Sequence, residues 1–184
     1  MKDTVKRCAW VKDKPDYYIE YHDRIWGKPE HDDQQLFQWL VLESFHVGLS
    51  WQLVLSKQAN FAKAFDNFDY QKIADYTEAK VAALREDTGI IRHIGKIRAT
   101  IANAQAFLKV QEEFDSFDAY IWGFTEGKVV LNQDDALVTS SELSDRVTYD
   151  LKKRGFKFIG SVTIYSYLQA IGMINDHELT CDFR

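Results

Sequence analysis

Thr88-Gly89-Ile90-Ile91-Arg92-His93-Ile94-Gly95-Lys96-Ile97 joins two apolar-periodic segments, and the fold turns on how it is read. Gly89 allows a positive φ where the first segment ends, and Gly95 lets backbone amides come close to a ligand. The helix that follows starts with unpaired N–H groups at the positive end of its dipole, where a phosphate binds without any base contact. Arg92, Lys96 and Arg98 add positive charge around it. Such a hairpin can grip a nucleic-acid backbone; the alternative is an ordinary glycine-terminated connection. Ile90, Ile91 and Ile94 belong to the core on either reading.

Outward from the hairpin the chain reads as helix. Asp32 or Asp33 caps a segment with Leu36, Phe37, Leu40 and Val41 on one side. Ser50 caps a second, bearing Val54, Phe61, Ala62 and Phe65, and Thr77 precedes a short one with Val81 and Leu84. Past the hairpin, Ile97, Ile101, Ala104 and Leu108 recur at helical spacing. Ser116 opens a short helix through Trp122, and Ser144 opens another that reaches Arg154 and stops at Gly155. A last helix runs from about Ser161 to Ile171, and the one credible strand, Lys128 to Leu131, is too short to organise a sheet. The expectation is an all-α single domain over residues 1–184, with the hairpin element at about 78–111.

Composition agrees. With 184 residues, 46% hydrophobic and 28% charged, the chain suffices for one domain and excludes wholesale disorder. Only 2 Pro and 9 Gly exclude a turn-dense sandwich or a flexible linker protein. The charged N-terminal stretch lacks an apolar signal core, and no apolar run approaches the ~20 residues of a membrane helix. A cytoplasmic protein without a membrane partner is expected. The net charge of −5 argues against nucleic acid until its distribution is read. Ten acids and two bases lie between Glu112 and Asp150, whereas Thr88 to Gln111 and Leu151 to Asn175 contain no acid at all. Acid-free basic windows suit a phosphate-facing surface, although two solvated helix faces give the same pattern.

Two further constellations carry chemistry. Cys8 and His22 lie near one end, and His177 and Cys181 near the other, four residues apart as on one side of a helical turn. Two thiolates and two imidazoles suit a closed structural Zn²⁺ site; a buried small Cys8 beside surface histidines is the alternative. In Leu42-Glu43-Ser44-Phe45-His46-Val47-Gly48-Leu49-Ser50-Trp51, Glu43 interrupts an apolar run and Trp51 follows across the Gly48 turn. Tyr17-Tyr18-Ile19-Glu20-Tyr21 adds rings and hydroxyls. A flat aromatic wall edged by a carboxylate and a phenol holds a purine-like base by stacking and edge hydrogen bonds, while an aromatic core with Glu43 reaching solvent is the plainer reading.

The ordered set of segments resembles the family of 3-methyladenine DNA glycosylase I. Its members are Arg7-Cys8-Ala9-Trp10-Val11, Tyr21-His22-Asp23 with Trp26-Gly27, Leu42-Glu43 with Gly48-Leu49-Ser50-Trp51, the hairpin, Leu151 to Gly160, and Asn175-Asp176-His177. The resemblance covers nearly the whole chain. It implies a helix-hairpin-helix glycosylase fold and a monofunctional enzyme that flips 3-methyladenine out of alkylated duplex DNA and releases the free base. It further implies one structural zinc on Cys8, His22, His177 and Cys181, joining the terminal segments. Trp51 would stack on the base, with Tyr21 beside it, while Glu43 and Tyr18 would bind its edge and Glu43 would serve as the catalytic carboxylate. Gly89, Arg92, Gly95 and Lys96 would face DNA, and the enzyme would act as a monomer. Neither Asp115 nor Asp118 takes a catalytic role.

The family pattern is broken at Ser44-Phe45-His46, where small and amide residues are usual. That break bears on how strictly 3-methyladenine is chosen over 3-methylguanine. A zinc-stapled module that binds DNA without chemistry is the rival from another class; it leaves Glu43 beside the aromatic wall unexplained.

Overall fold

The computed structural model describes residues 5–184. Helix α1 (Asp16–Arg24) enters behind Pro15, whose φ of −65° suits the start of a helix. Helix α2 (Asp33–His46) is capped by the Asp32 carboxylate, which accepts from the Gln35 amide at 2.9 Å. Leu36, Phe37, Trp39, Leu40, Val41, Leu42 and Phe45 of α2 are all buried. A helix apolar on nearly every side has to run through the centre of the molecule, and α2 does.

Four short helices follow: α3 (Trp51–Ser56), α4 (Gln58–Ala64), α5 (Tyr70–Ala74) and α6 (Glu78–Glu86). The second spine is α7 (Ile94–Phe114), against which α5 and α6 pack. Its Phe107 meets Phe37 of α2 edge-on at 5.1 Å and stacks on Phe117 at 4.1 Å. Phe117 opens α8 (Phe117–Gly123), which Ser116 caps. Then come β1 (Val130–Leu131), α9 (Glu142–Lys153), α10 (Ser161–Ala170) and β2 (Ile174–Asn175). The strands pair in parallel, Val130 with Ile174 and Leu131 with Asn175. Helix α10 packs across α2, and its buried Tyr167 hydroxyl donates to the Leu36 carbonyl at 3.1 Å.

The mostly helical expectation holds, with differences in detail. The helix expected from Ser50 is two, because Lys57 leaves helical geometry (φ −101°, ψ 4°) and the Ser56 hydroxyl takes the Leu53 carbonyl. Ser141 rather than Ser144 caps α9; Ser144 is its reciprocal partner three residues in. The hairpin's second helix begins at Ile94, so Gly95 lies inside its first turn. Residues 177–181 form an irregular turn closed by the Cys181 amide on the Glu178 carbonyl, not a helix.

One close crossing positions both termini. Residues 27–30 run over the end of α10, with the Gly27 amide on the Gln169 carbonyl and the Glu30 amide on that of Ile171. Gly172 sits there at φ +70°, and a Cβ on it would land inside the backbone of Lys28 and Pro29. Gly172→Ala therefore costs about 3 kcal/mol or more, combining left-handed strain with a clash against main chain. A urea-unfolding midpoint close to that of the unsubstituted protein would contradict this crossing.

Candidate active site

The C-terminal end of α2 opens onto a cleft of ≈ 260 Å³ whose walls include Trp10, Tyr18, Tyr21, Trp26, Glu43 and Trp51. Helix α1 presents Tyr18 and Tyr21, on one face because they are three residues apart. Trp51 follows the turn 46–49, in which the Leu49 amide meets the His46 carbonyl and Gly48 takes φ +78°. Its ring lies 5.4 Å from that of Tyr21, tilted by 59°. Trp10 stands edge-on to Tyr18 at 5.6 Å and to Trp26 at 4.9 Å, completing the aromatic side. The Trp51 indole N–H is buried without a hydrogen-bond partner among the described residues, leaving a donor available to a guest.

Glu43 is 2% exposed, and a carboxylate that deep is held by whatever it can bond. Its partner is the His46 ring, whose Nδ1 is 3.0 Å from Oε2. Burial pushes the Glu43 carboxyl above its ordinary range, partly offset by His46. Burial, and then the Glu43 charge, push the Tyr18 and Tyr21 hydroxyls up. Of the two bulky residues that break the family pattern, only His46 lines the cleft. Phe45 is fully buried and points into the core, 4.8 Å from Phe61. The alternative in which Glu43 reaches solvent is excluded by its burial.

The hairpin residues part company. Arg92 is exposed. Gly89 does not adopt a positive φ; it is small because a Cβ would meet Asp87 Oδ1 at 3.0 Å and Asn60 at 3.3 Å. Ile90 is buried, Ile91 half-buried and Ile94 exposed, so Ile94 is not a core residue. Lys96 points inward: it is 5% exposed, and its ammonium donates to the Phe45 carbonyl at 2.8 Å and the Val47 carbonyl at 2.5 Å. A lysine in an acid-free window reads as surface charge, but α2 ends with carbonyls that need donors, and Lys96 supplies them. Burial lowers its ammonium from the ordinary lysine range. Gly95 and Arg98 instead share a shallow groove with Lys157, which joins the two acid-free windows on one face. Asn103 of α7 fixes that junction by bonding both the amide (2.7 Å) and the carbonyl (3.1 Å) of Lys157.

Cys8, His22 and Cys181 come together although the chain separates them widely: their ligand atoms lie within 4.8 Å of one another. Asp23 Oδ1, 2.7 Å from His22 Nδ1, turns Nε2 toward the Cys181 sulfur at 3.7 Å, and Arg7 holds Asp23. The Glu178 amide donates to the Cys8 sulfur at 3.3 Å. Burial pushes the Cys8 thiol up to about 12. His177 lies beside the cluster, edge-on to His22 at 4.8 Å, with Nδ1 on Asn175 Oδ1 at 2.8 Å and Nε2 3.3 Å from the His22 carbonyl. Two buried sulfurs and an imidazole held by an outer carboxylate form a donor set that fits zinc. Asp115 and Asp118 lie elsewhere; Asp118 pairs with His31 at 2.7 Å.

The raised Glu43 carboxyl has a consequence for stability. The native state favours its protonated form more than the unfolded chain does, so this group's contribution is present at low pH and is lost as pH rises through its folded value. Glu43→Gln should therefore unfold at higher urea concentration than the native protein at pH ~7, with the gap closing below about pH 4, where unfolded carboxyls protonate too. A variant that is less stable at neutral pH would show that Glu43 supports the fold it sits in.

This architecture has known counterparts. The methyladenine glycosylase family model matches residues 10–184. DNA-3-methyladenine glycosylase 1 of Escherichia coli (strain K12) is 43% identical over 180 residues, covering 96% of each chain. A solved 3-methyladenine DNA glycosylase I superposes with a TM-score of 0.92 at 44% identity, over 96% of this chain and 98% of that one. The enzyme from Staphylococcus aureus, solved to explain 3-methyladenine recognition, superposes equally well (TM-score 0.92, 34% identity, 96% and 95% coverage). With a matching family model over almost its full length and a relative this similar end to end, the chain belongs to the methyladenine glycosylase family.

Proposed function

We propose that the protein releases 3-methyladenine from alkylated duplex DNA by hydrolysing its N-glycosidic bond, the first step of base-excision repair. The cleft carries this reading: a buried carboxylate set among aromatic faces suits a flat cation. N3-methylation makes the adenine of DNA cationic, whereas undamaged adenine is neutral. Each aromatic face in contact favours the cation by roughly 0.5–2 kcal/mol. Glu43 adds an opposite charge and an acceptor for the base's edge. The nucleotide must be flipped out to enter, at a cost of a few kcal/mol that damaged, weakly paired bases reduce.

The bond from C1′ to the base then breaks, its electron pair stays with the base, and 3-methyladenine departs neutral without needing a proton. Water adds to the oxocarbenium-like C1′ and releases its proton to solvent. Glu43, as the carboxylate of the site, stabilises the positive charge on base and sugar. The Lys96 ammonium is bound to backbone carbonyls away from the cleft, which supports a monofunctional enzyme without strand cleavage.

The hairpin between α6 and α7 serves as a helix-hairpin-helix element for the DNA backbone, with Gly89, Arg92 and Gly95 and, beside them, Arg98 and Lys157 as its phosphate face. Lys96 acts from inside, holding the end of α2. Cys8, His22 and Cys181 would hold one structural zinc, with the adjacent His177 as the fourth ligand; a closed set of that kind would supply cross-linking and no open position for chemistry. One continuous core runs from Cys8 to Cys181, consistent with a single domain. The cleft is complete within one chain, so the working form is taken to be a monomer, acting in the cytoplasm.

The first test is release of free base from methylated duplex DNA. Native protein should liberate 3-methyladenine, Glu43→Gln should do so about 100-fold more slowly, and neither should nick the strand. No release from folded, zinc-loaded protein that still binds DNA would overturn the reading. Elemental analysis should find one zinc per chain, lost in Cys8→Ala together with about 2–5 kcal/mol of stability. Full occupancy in a His177→Ala variant would remove His177 from the ligand set.

A further inference from the structure

We propose that His46 is a specificity-determining residue, which makes the cleft offer two acceptors to a bound purine and thereby selects an edge carrying an amino group. This deepens, and rests on, the reading of the cleft as a 3-methyladenine site. Where Glu43 is ionised its oxygen can only accept, so Nδ1 donates across the 3.0 Å contact. In the neutral ring Nε2 is then bare and accepts. No other hydrogen bond is made by this ring or by the Glu43 carboxylate among the described residues. The imidazole forms part of the cleft wall, 5.3 Å from Trp51. Glu43 Oε1 and His46 Nε2 are thus the two acceptors left for a guest.

The C6 amino group of 3-methyladenine has two N–H donors for such a pair. The C6 carbonyl of 3-methylguanine has none and sets acceptor against acceptor.

The test is the ratio of 3-methyladenine to 3-methylguanine released from dimethyl-sulfate-treated duplex DNA, with spontaneous loss subtracted. Native protein should favour 3-methyladenine. His46→Gln, whose amide both donates and accepts, should keep that preference, and His46→Leu should lose about tenfold of it, the worth of one edge hydrogen bond. The native ratio in a His46→Leu protein of native circular dichroism, or loss of the preference in His46→Gln, would overturn the proposal. If native protein releases neither base, the reading of the cleft itself fails.

Discussion

A carboxylate held in a wall of hydrocarbon is the constraint around which this molecule is arranged. Glu43 lies on a helix that the core surrounds, one turn before that helix ends, and its only way to be both buried and useful is to face a cleft. The end of α2 therefore has to be fixed without the backbone cap that ends many helices. Lys96 does this from a neighbouring helix, giving its ammonium to the carbonyls of Phe45 and Val47. Because Lys96 belongs to the first turn of α7, the segment that would touch DNA and the segment that would touch the base share one polar joint. Two hydrogen bonds thus tie the hairpin to the floor of the cleft.

The opposite side of the cleft is set by the chain ends. Trp10 follows Cys8 by two residues and Trp26 follows His22 by four. Trp10 packs on the His22 ring at 5.1 Å, and Trp26 packs on the His177 ring at 4.7 Å. Further bonds stitch the ends directly, with Lys6 and Asp182 exchanging hydrogen bonds and the Ala9 amide donating to Glu178. The cluster of sulfur and imidazole thus braces the aromatic wall from behind.

Much of this was legible in the residues, for identifiable reasons. Asp32 or Asp33 and Ser50 read as caps, Thr77 and Ser116 as the residues at which short helices begin, and Asp32, Ser50, Thr77 and Ser116 each accept an amide hydrogen bond, because a short polar side chain before an apolar-periodic run has few other uses. The four cleft residues were brought together by adjacency in sequence and by family resemblance. Helix α1 is harder to see in the sequence, because its rings look like a mere supply of aromatics until their helical spacing is weighed. Helix α5, five residues behind Asp69, is too short to show a period. Lys96 reads as surface charge because charge in a sequence carries no direction. Only the fold reveals that this ammonium points inward, at carbonyls that sequence periodicity does not expose. The proximity of Cys8 to Cys181 depends on the whole chain's path, and spacing alone left it undecided.

The two walls of the cleft differ in how freely they can vary. Trp10 and Trp26 each have the cleft on one side and the histidines of the cluster on the other, so altering either ring for a new guest also disturbs the brace. Residues 44–47, at the end of α2, carry no such double duty toward the cluster. New base preferences within such a lineage have an open route on that side, one side chain at a time, while the aromatic side is held still by the ends of its own chain.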